Sequence, residues 1–114
     1  MPLIRIIETA TAADAALGYR VVSMDFGKAN IKAVSIANGT STSFVGWIGL
    51  AKHPWEAGVP NMALTTRTSI FTLATQITWK GELKLPGPTR YAITGNFEDV
   101  LEGDLLFLLI WWEP

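Results

Sequence analysis

Residues 68–85 read TSIFTLATQITWKGELKL, and the alternation in them decides the kind of fold. Phe71, Leu73, Ile77, Trp79, Leu83 and Leu85 share one parity, while Thr72, Gln76, Thr78, Lys80, Glu82 and Lys84 take the other. Successive side chains of a strand point to opposite faces, so a period of two describes a strand with one buried and one wet face. Trp79, on the apolar parity, is expected in the core. The parity carries through Gly81, which leaves either one long bent strand or two strands around a tight turn. Pro86-Gly87-Pro88 ends the pattern.

Working outward, β-branched and aromatic residues dominate between scattered Gly and Pro, which is strand chemistry. Leu3–Thr9, Tyr19–Phe26, Ile31–Ala37, Thr42–Lys52, Thr89–Phe97 and Leu105–Trp112 read as further strands. Asn38-Gly39 tolerates the positive φ of a tight turn and predicts a hairpin joining residues 31–37 to 42–52. Gly46 and Gly49 in its second arm signal a bend, a bulge or a close backbone approach. Thr9–Leu17 is a short helix or a loop: Thr11 suits a cap, the alanines favour helix and Gly18 suits a terminator. His53–Leu64, with Pro54, Gly58, Pro60 and Asn61, has neither period and reads as a long loop. Short strands punctuated by turns imply one all-β domain over residues 1–114, an antiparallel β-sandwich or barrel with at most one short helix near residues 10–17.

Composition narrows the function. The chain has 114 residues, 49% hydrophobic and 17% charged, with a net charge of −1. That excludes a disordered chain and gives no basic footprint for specific nucleic-acid binding. There is no cysteine and one histidine, which removes disulfides, thiolate metal sites and the commonest acid–base chemistry. Arg5 and Glu8 interrupt the first apolar stretch, so no secretory signal is read, and cytoplasmic synthesis without a signal peptide is expected. Asn38-Gly39-Thr40 is accordingly read as a turn and not as a glycan acceptor.

The run Leu105-Leu106-Phe107-Leu108-Leu109-Ile110-Trp111-Trp112 is apolar on both parities. It is far shorter than the about 20 residues a membrane-crossing helix needs. A large side chain gains roughly 1.5–3 kcal/mol on burial, so a face of four carries on the order of 6–12 kcal/mol, comparable to a domain's net stability. Both faces must therefore be covered. One arrangement covers the second face with the short helix or the long loop, another with a neighbouring subunit, and a third with a membrane surface. Few elements of so small a sandwich are spare, which favours the neighbour.

Tyr91-Ala92-Ile93-Thr94-Gly95-Asn96-Phe97, an acidic turn, then Gly103-Asp104-Leu105-Leu106-Phe107-Leu108 resembles the end of small jelly-roll proteins, both the tumour-necrosis-factor/C1q-like group and small viral jelly rolls. The resemblance covers about a quarter of the chain. It implies a jelly-roll-like sandwich that closes a trimer or pentamer or tiles a capsid, and the missing secretion signal favours the virion version.

Chemistry is sparse. His53 stands beside Pro54, Trp55 and Glu56 without the setting of a serine triad or a multi-histidine metal site. Glu98, Asp99, Glu102 and Asp104 form the densest acidic cluster, read as a solvated loop with a calcium site as the sharper alternative. No phosphate-binding glycine loop occurs. The expectation is a non-enzymatic structural subunit without cofactor, associating with itself and with other assembly proteins. Its interface would comprise Leu105, Phe107, Leu109, Trp111, Trp112 and Trp55. The alternative is a carbohydrate- or protein-binding module using the loop residues His53, Trp55 and Glu56.

Overall fold

The computed structural model describes residues 2–39, 44–52, 62–66, 68–70 and 76–114. Among them run β1 (Leu3–Thr9), α1 (Ala12–Leu17), β2 (Tyr19–Phe26), β3 (Ala29–Asn38), β4 (Phe44–Lys52), β5 (Met62–Ala63), β6 (Thr68–Ile70), β7 (Gln76–Leu85), β8 (Tyr91–Glu98) and β9 (Leu105–Glu113). One sheet has the order β1-β9-β3-β7; the other has β2-β8-β4-β5, with β6 also pairing β4. Every ladder is antiparallel. Successive strands alternate between two stacked sheets except for β4, β5 and β6, which share the second, the paired Greek keys of a jelly-roll sandwich. The all-β, jelly-roll-like fold expected from the sequence is the fold observed.

The core lies between the sheets. Ile31, Val34 and Ile36 of β3 and Leu106, Leu108 and Ile110 of β9 meet Ile48 of β4 and Ile93 and Phe97 of β8, all fully buried. Trp79 packs against this cluster from β7, as its parity predicts. β7 runs unbroken through Gly81, so no turn lies there, yet the stretch 68–85 is not one strand: Thr68–Ile70 forms β6, paired with β4 in the other sheet, and residues 71–75, with Phe71, Thr72 and Leu73, lie outside the described residues. Opposite it, β3 changes register between Ile31 and Ala33, and its inward positions pass from odd to even there.

The hairpin expected at Asn38-Gly39 does not form. β3 pairs β7 and β9 in one sheet, β4 pairs β8 in the other, and Asn38 is the last residue of β3, opposite Leu106. A local turn preference yields here to non-local pairing, because apolar β9 needs a partner on each edge. Gly39 serves a different need: its N–H donates to the Leu105 carbonyl at 3.0 Å, and a Cβ at this position would lie 2.8 Å from Phe107 Cζ. The β4 ladder to β8 runs in unbroken register through Gly46 and Gly49, so neither marks a bulge.

Helix, not loop, fills the β1–β2 connection. Thr11 caps α1, its hydroxyl accepting from the Asp14 N–H while the Asp14 carboxylate accepts from the Thr11 N–H. Gly18 ends it at φ 84°, a left-handed conformation that glycine takes without strain. Arg20 donates from Nη1 to Asp14 at 2.7 Å and from Nη2 to Glu8 at 2.8 Å, joining β1, α1 and β2. Burial acts to raise the Asp14 pKa, but the Thr11 N–H, the Arg20 guanidinium and the Thr11 hydroxyl together hold it below 3.8. No helix among the described residues is long and apolar enough to cross a membrane.

Candidate functional site

Register assigns every sheet residue to the core or to an outer face, and the outer faces carry what the fold leaves unused. In the β1–β9–β3–β7 sheet, Leu3, Arg5 and Ile7 stand opposite Trp111, Leu109 and Phe107. Ala33, Ser35 and Ala37 flank the same β9 residues on the other side, and Lys80, Thr78 and Gln76 lie beyond them on β7. The outcome is a ridge and a trough. The ridge is apolar: Leu3 and Ile7 are 42% and 55% exposed, and Leu105, Phe107, Leu109 and Trp111 are half-buried. The trough, about 650 Å³, is floored by Ala33 and Ser35 between Trp111 and the β7 side chains Thr78 and Lys80. Ser35, buried in spite of facing outward, shares a 2.7 Å hydrogen bond with Thr78. Lys32 and Glu82 pair beside it, the contact raising the lysine pKa and lowering that of the glutamate.

Leu105, Phe107, Leu109 and Trp111 are thus gathered on one outer face. Trp112 is not with them. It shares the inward parity of Leu106, Leu108 and Ile110, packs against the core and meets Phe26 edge-on at 5.6 Å between ring centroids. The helix does not cover the ridge: α1 sits in the connection between the sheets, tied to β2 through Arg20. His53, Trp55 and Glu56 lie outside the described residues.

The acidic cluster has structural work. Asp104, 5% exposed, accepts the Leu101 N–H on Oδ2 at 2.8 Å and closes the β8–β9 turn. The turn is pinned to the β1–α1–β2 connection by Gly103 N–H to Ala10 O, Ala10 N–H to Asp104 O and Asp99 N–H to Gly18 O, each 2.8 Å. Among the described residues no three His, Cys, Asp or Glu side chains gather around a metal-sized space.

The other sheet offers a pocket that the sequence reading missed. Tyr19 of β2 stands opposite Glu98 of β8, and Trp47 of β4 opposite Asn96. With Leu17 and Val21 they line a depression of about 440 Å³. Trp47 Nε1 donates to Glu98 Oε2 at 3.2 Å, and Asn96 Nδ2 donates to Thr94 Oγ1 at 2.9 Å. The available signal was the run Thr94-Gly95-Asn96-Phe97-Glu98, whose polar parity fits poorly with a strand buried at the centre of its sheet.

No protein-family model matches the chain, and no curated protein matches it in sequence.

Proposed function

We propose that the protein is a non-enzymatic structural subunit that associates with copies of itself through the outer face of the β1–β9–β3–β7 sheet, as a component of a virion or comparable particle. The observation that carries this reading is the ridge of Leu3, Ile7, Phe107, Leu109 and Trp111 on that face. Exposed apolar surface concentrated along adjoining strands marks contact with another protein. A second copy is the partner because the ridge runs beside a trough floored by small residues, so each protomer presents both halves of a complementary contact. Ring closure into a trimer or pentamer would bury every ridge without leaving an open end. Assembly proteins other than the chain itself would dock on the completed ring.

Multi-angle light scattering on the purified protein tests the reading. The expected result is a mass of three or five protomers that Leu109→Asp reduces to one while circular dichroism stays unchanged. A wild-type protein that remains monomeric at all accessible concentrations overturns it.

A further inference from the structure

We propose that one end of the sandwich, made by the β2–β3 turn, the β7–β8 turn and the end of β4, binds the phosphate backbone of a single-stranded nucleic acid without reading its sequence. The assignment does not depend on self-association. A chain-wide net charge of −1 conceals the feature, because the fold segregates charge along its strands. Phe26 and Lys52 stand either side of Tyr91 in one row across β2, β8 and β4. Lys28 follows Phe26 by two residues, and Arg90 immediately precedes Tyr91. The row is two strand spacings wide, about 10 Å, so the three cations share one end. Two close approaches tie the turns together. Lys28 Cβ lies 3.4 Å from where a Gly87 Cβ would stand, and Arg90 Nη1 lies 3.7 Å from where a Gly27 Cβ would. Lys28, Lys52 and Arg90 are exposed, and none is held in an ion pair among the described residues. Lys84 of β7, opposite Asn30, adds a fourth cation. Against them stand Asp25, opposite Ala92, and Glu113, opposite Asn30, so the described side chains leave this end positive.

The carboxylates of the β8–β9 turn lie at the opposite end. At roughly 3.3 Å per residue, β8 separates Arg90 from Asp99 by about 25–30 Å. That is some three screening lengths of about 8 Å at physiological ionic strength, so those acids do not cancel the basic end. The occupant follows from how the cations are held. They reach out from three separate connections and do not converge to enclose a small anion. A chain of phosphates meets all three at once, and each contact releases a condensed counterion. Adsorption to an anionic membrane draws also on apolar side chains that enter beside the cations, whereas Phe26 and Leu85 on these turns are buried. An acidic peptide offers carboxylates only where its sequence places them; a nucleic acid offers a charge at every residue.

Fluorescence anisotropy of a labelled thymidine oligomer of about 12 nucleotides tests the contact. The expected dissociation constant is about 10–100 μM at about 50 mM salt. Log affinity should fall against log salt with a slope of about −2, the value for roughly three phosphates on a single strand. Between about 50 and about 200 mM that is a loss of roughly twentyfold. Lys28→Ala, Lys52→Ala and Arg90→Ala should each shorten the slope by about 0.7. The triple variant should abolish binding while circular dichroism and the light-scattering mass stay unchanged. Glu102→Gln removes a negative charge at the far end and should alter neither affinity nor slope. Binding that follows net charge alone, so that Glu102→Gln strengthens it as much as Lys28→Ala weakens it, overturns the proposal. Retained binding by the triple variant overturns it too, as does no binding of the oligomer at about 50 mM salt. Equal binding of an oligoglutamate assigns the end to an acidic protein, and equal binding of phosphatidylserine vesicles assigns it to a membrane; either result overturns the nucleic-acid assignment.

Discussion

The β1–β9–β3–β7 sheet turns Leu3, Ile7, Phe107, Leu109 and Trp111 outward, whereas β2–β8–β4 turns out Tyr19, Val21, Trp47, Asn96 and Glu98. Both sheets bury their inner faces in the same core. Stability therefore accounts for one parity of each strand and leaves the other free to differ. The first sheet uses that freedom for an apolar ridge that Arg5 alone interrupts on β1. The second uses it for a depression lined by aromatic and polar side chains. Neighbouring residues on one strand can thus answer to separate demands, and β9 offers the sharpest case.

Leu108 and Leu109 are adjacent and chemically identical, yet only the first is fully buried. Leu108→Ala should cost about 2–5 kcal/mol, read as a lowered urea midpoint, because it opens a cavity between the sheets. Leu109→Asp should cost the isolated protomer no more than about 1–2 kcal/mol while removing self-association, so light scattering should respond more than the urea midpoint. If both substitutions unfolded the protein alike, the distinction between the two parities would fail.

The link between the sheets supplies a subtler test. The carboxyl of Asp14 is held below its ordinary 3.8 in the folded protein, so the stability it contributes is complete above that value and is lost as pH falls through the folded pKa. Urea midpoints measured from about pH 5 to about pH 2 should fall less steeply for Asp14→Asn than for wild type. At neutral pH the same substitution should cost roughly 1–2 kcal/mol, through the weakened Arg20 and Thr11 contacts. The smallest effect belongs to Lys32→Ala on the exposed side of the trough. Its pair with Glu82 is solvent-screened, and the melting temperature should not move measurably in calorimetry.

Strand placement was legible because parity is written locally. β1 and β2 fall on the residues their patterns predict, and the two apolar parities of β9 separate into a core face and a ridge. Pairing was less legible. Asn38-Gly39 carries a strong turn preference, but hydrogen bonding to β9 outweighs it, and the glycine answers to the ring of Phe107 and not to its own φ. Trp112 was grouped with Trp111 by composition, and parity alone sends it inward. The pocket needed three strands distant in sequence to converge. Tyr19, Trp47 and Asn96 share no local spacing, so nothing short of the sheet order brings them together.

The place of β9 between β1 and β3 also sets a schedule for biosynthesis. The ribosome makes this strand after both of its neighbours, so a nascent chain holds β1 and β3 with a gap where the centre of the sheet belongs. Until that gap is filled, the facing edges of β1 and β3 lack the strand that satisfies their backbone groups, and such unpaired edges are prone to non-native pairing. A central strand made late therefore lengthens the time for which those edges stand open during synthesis.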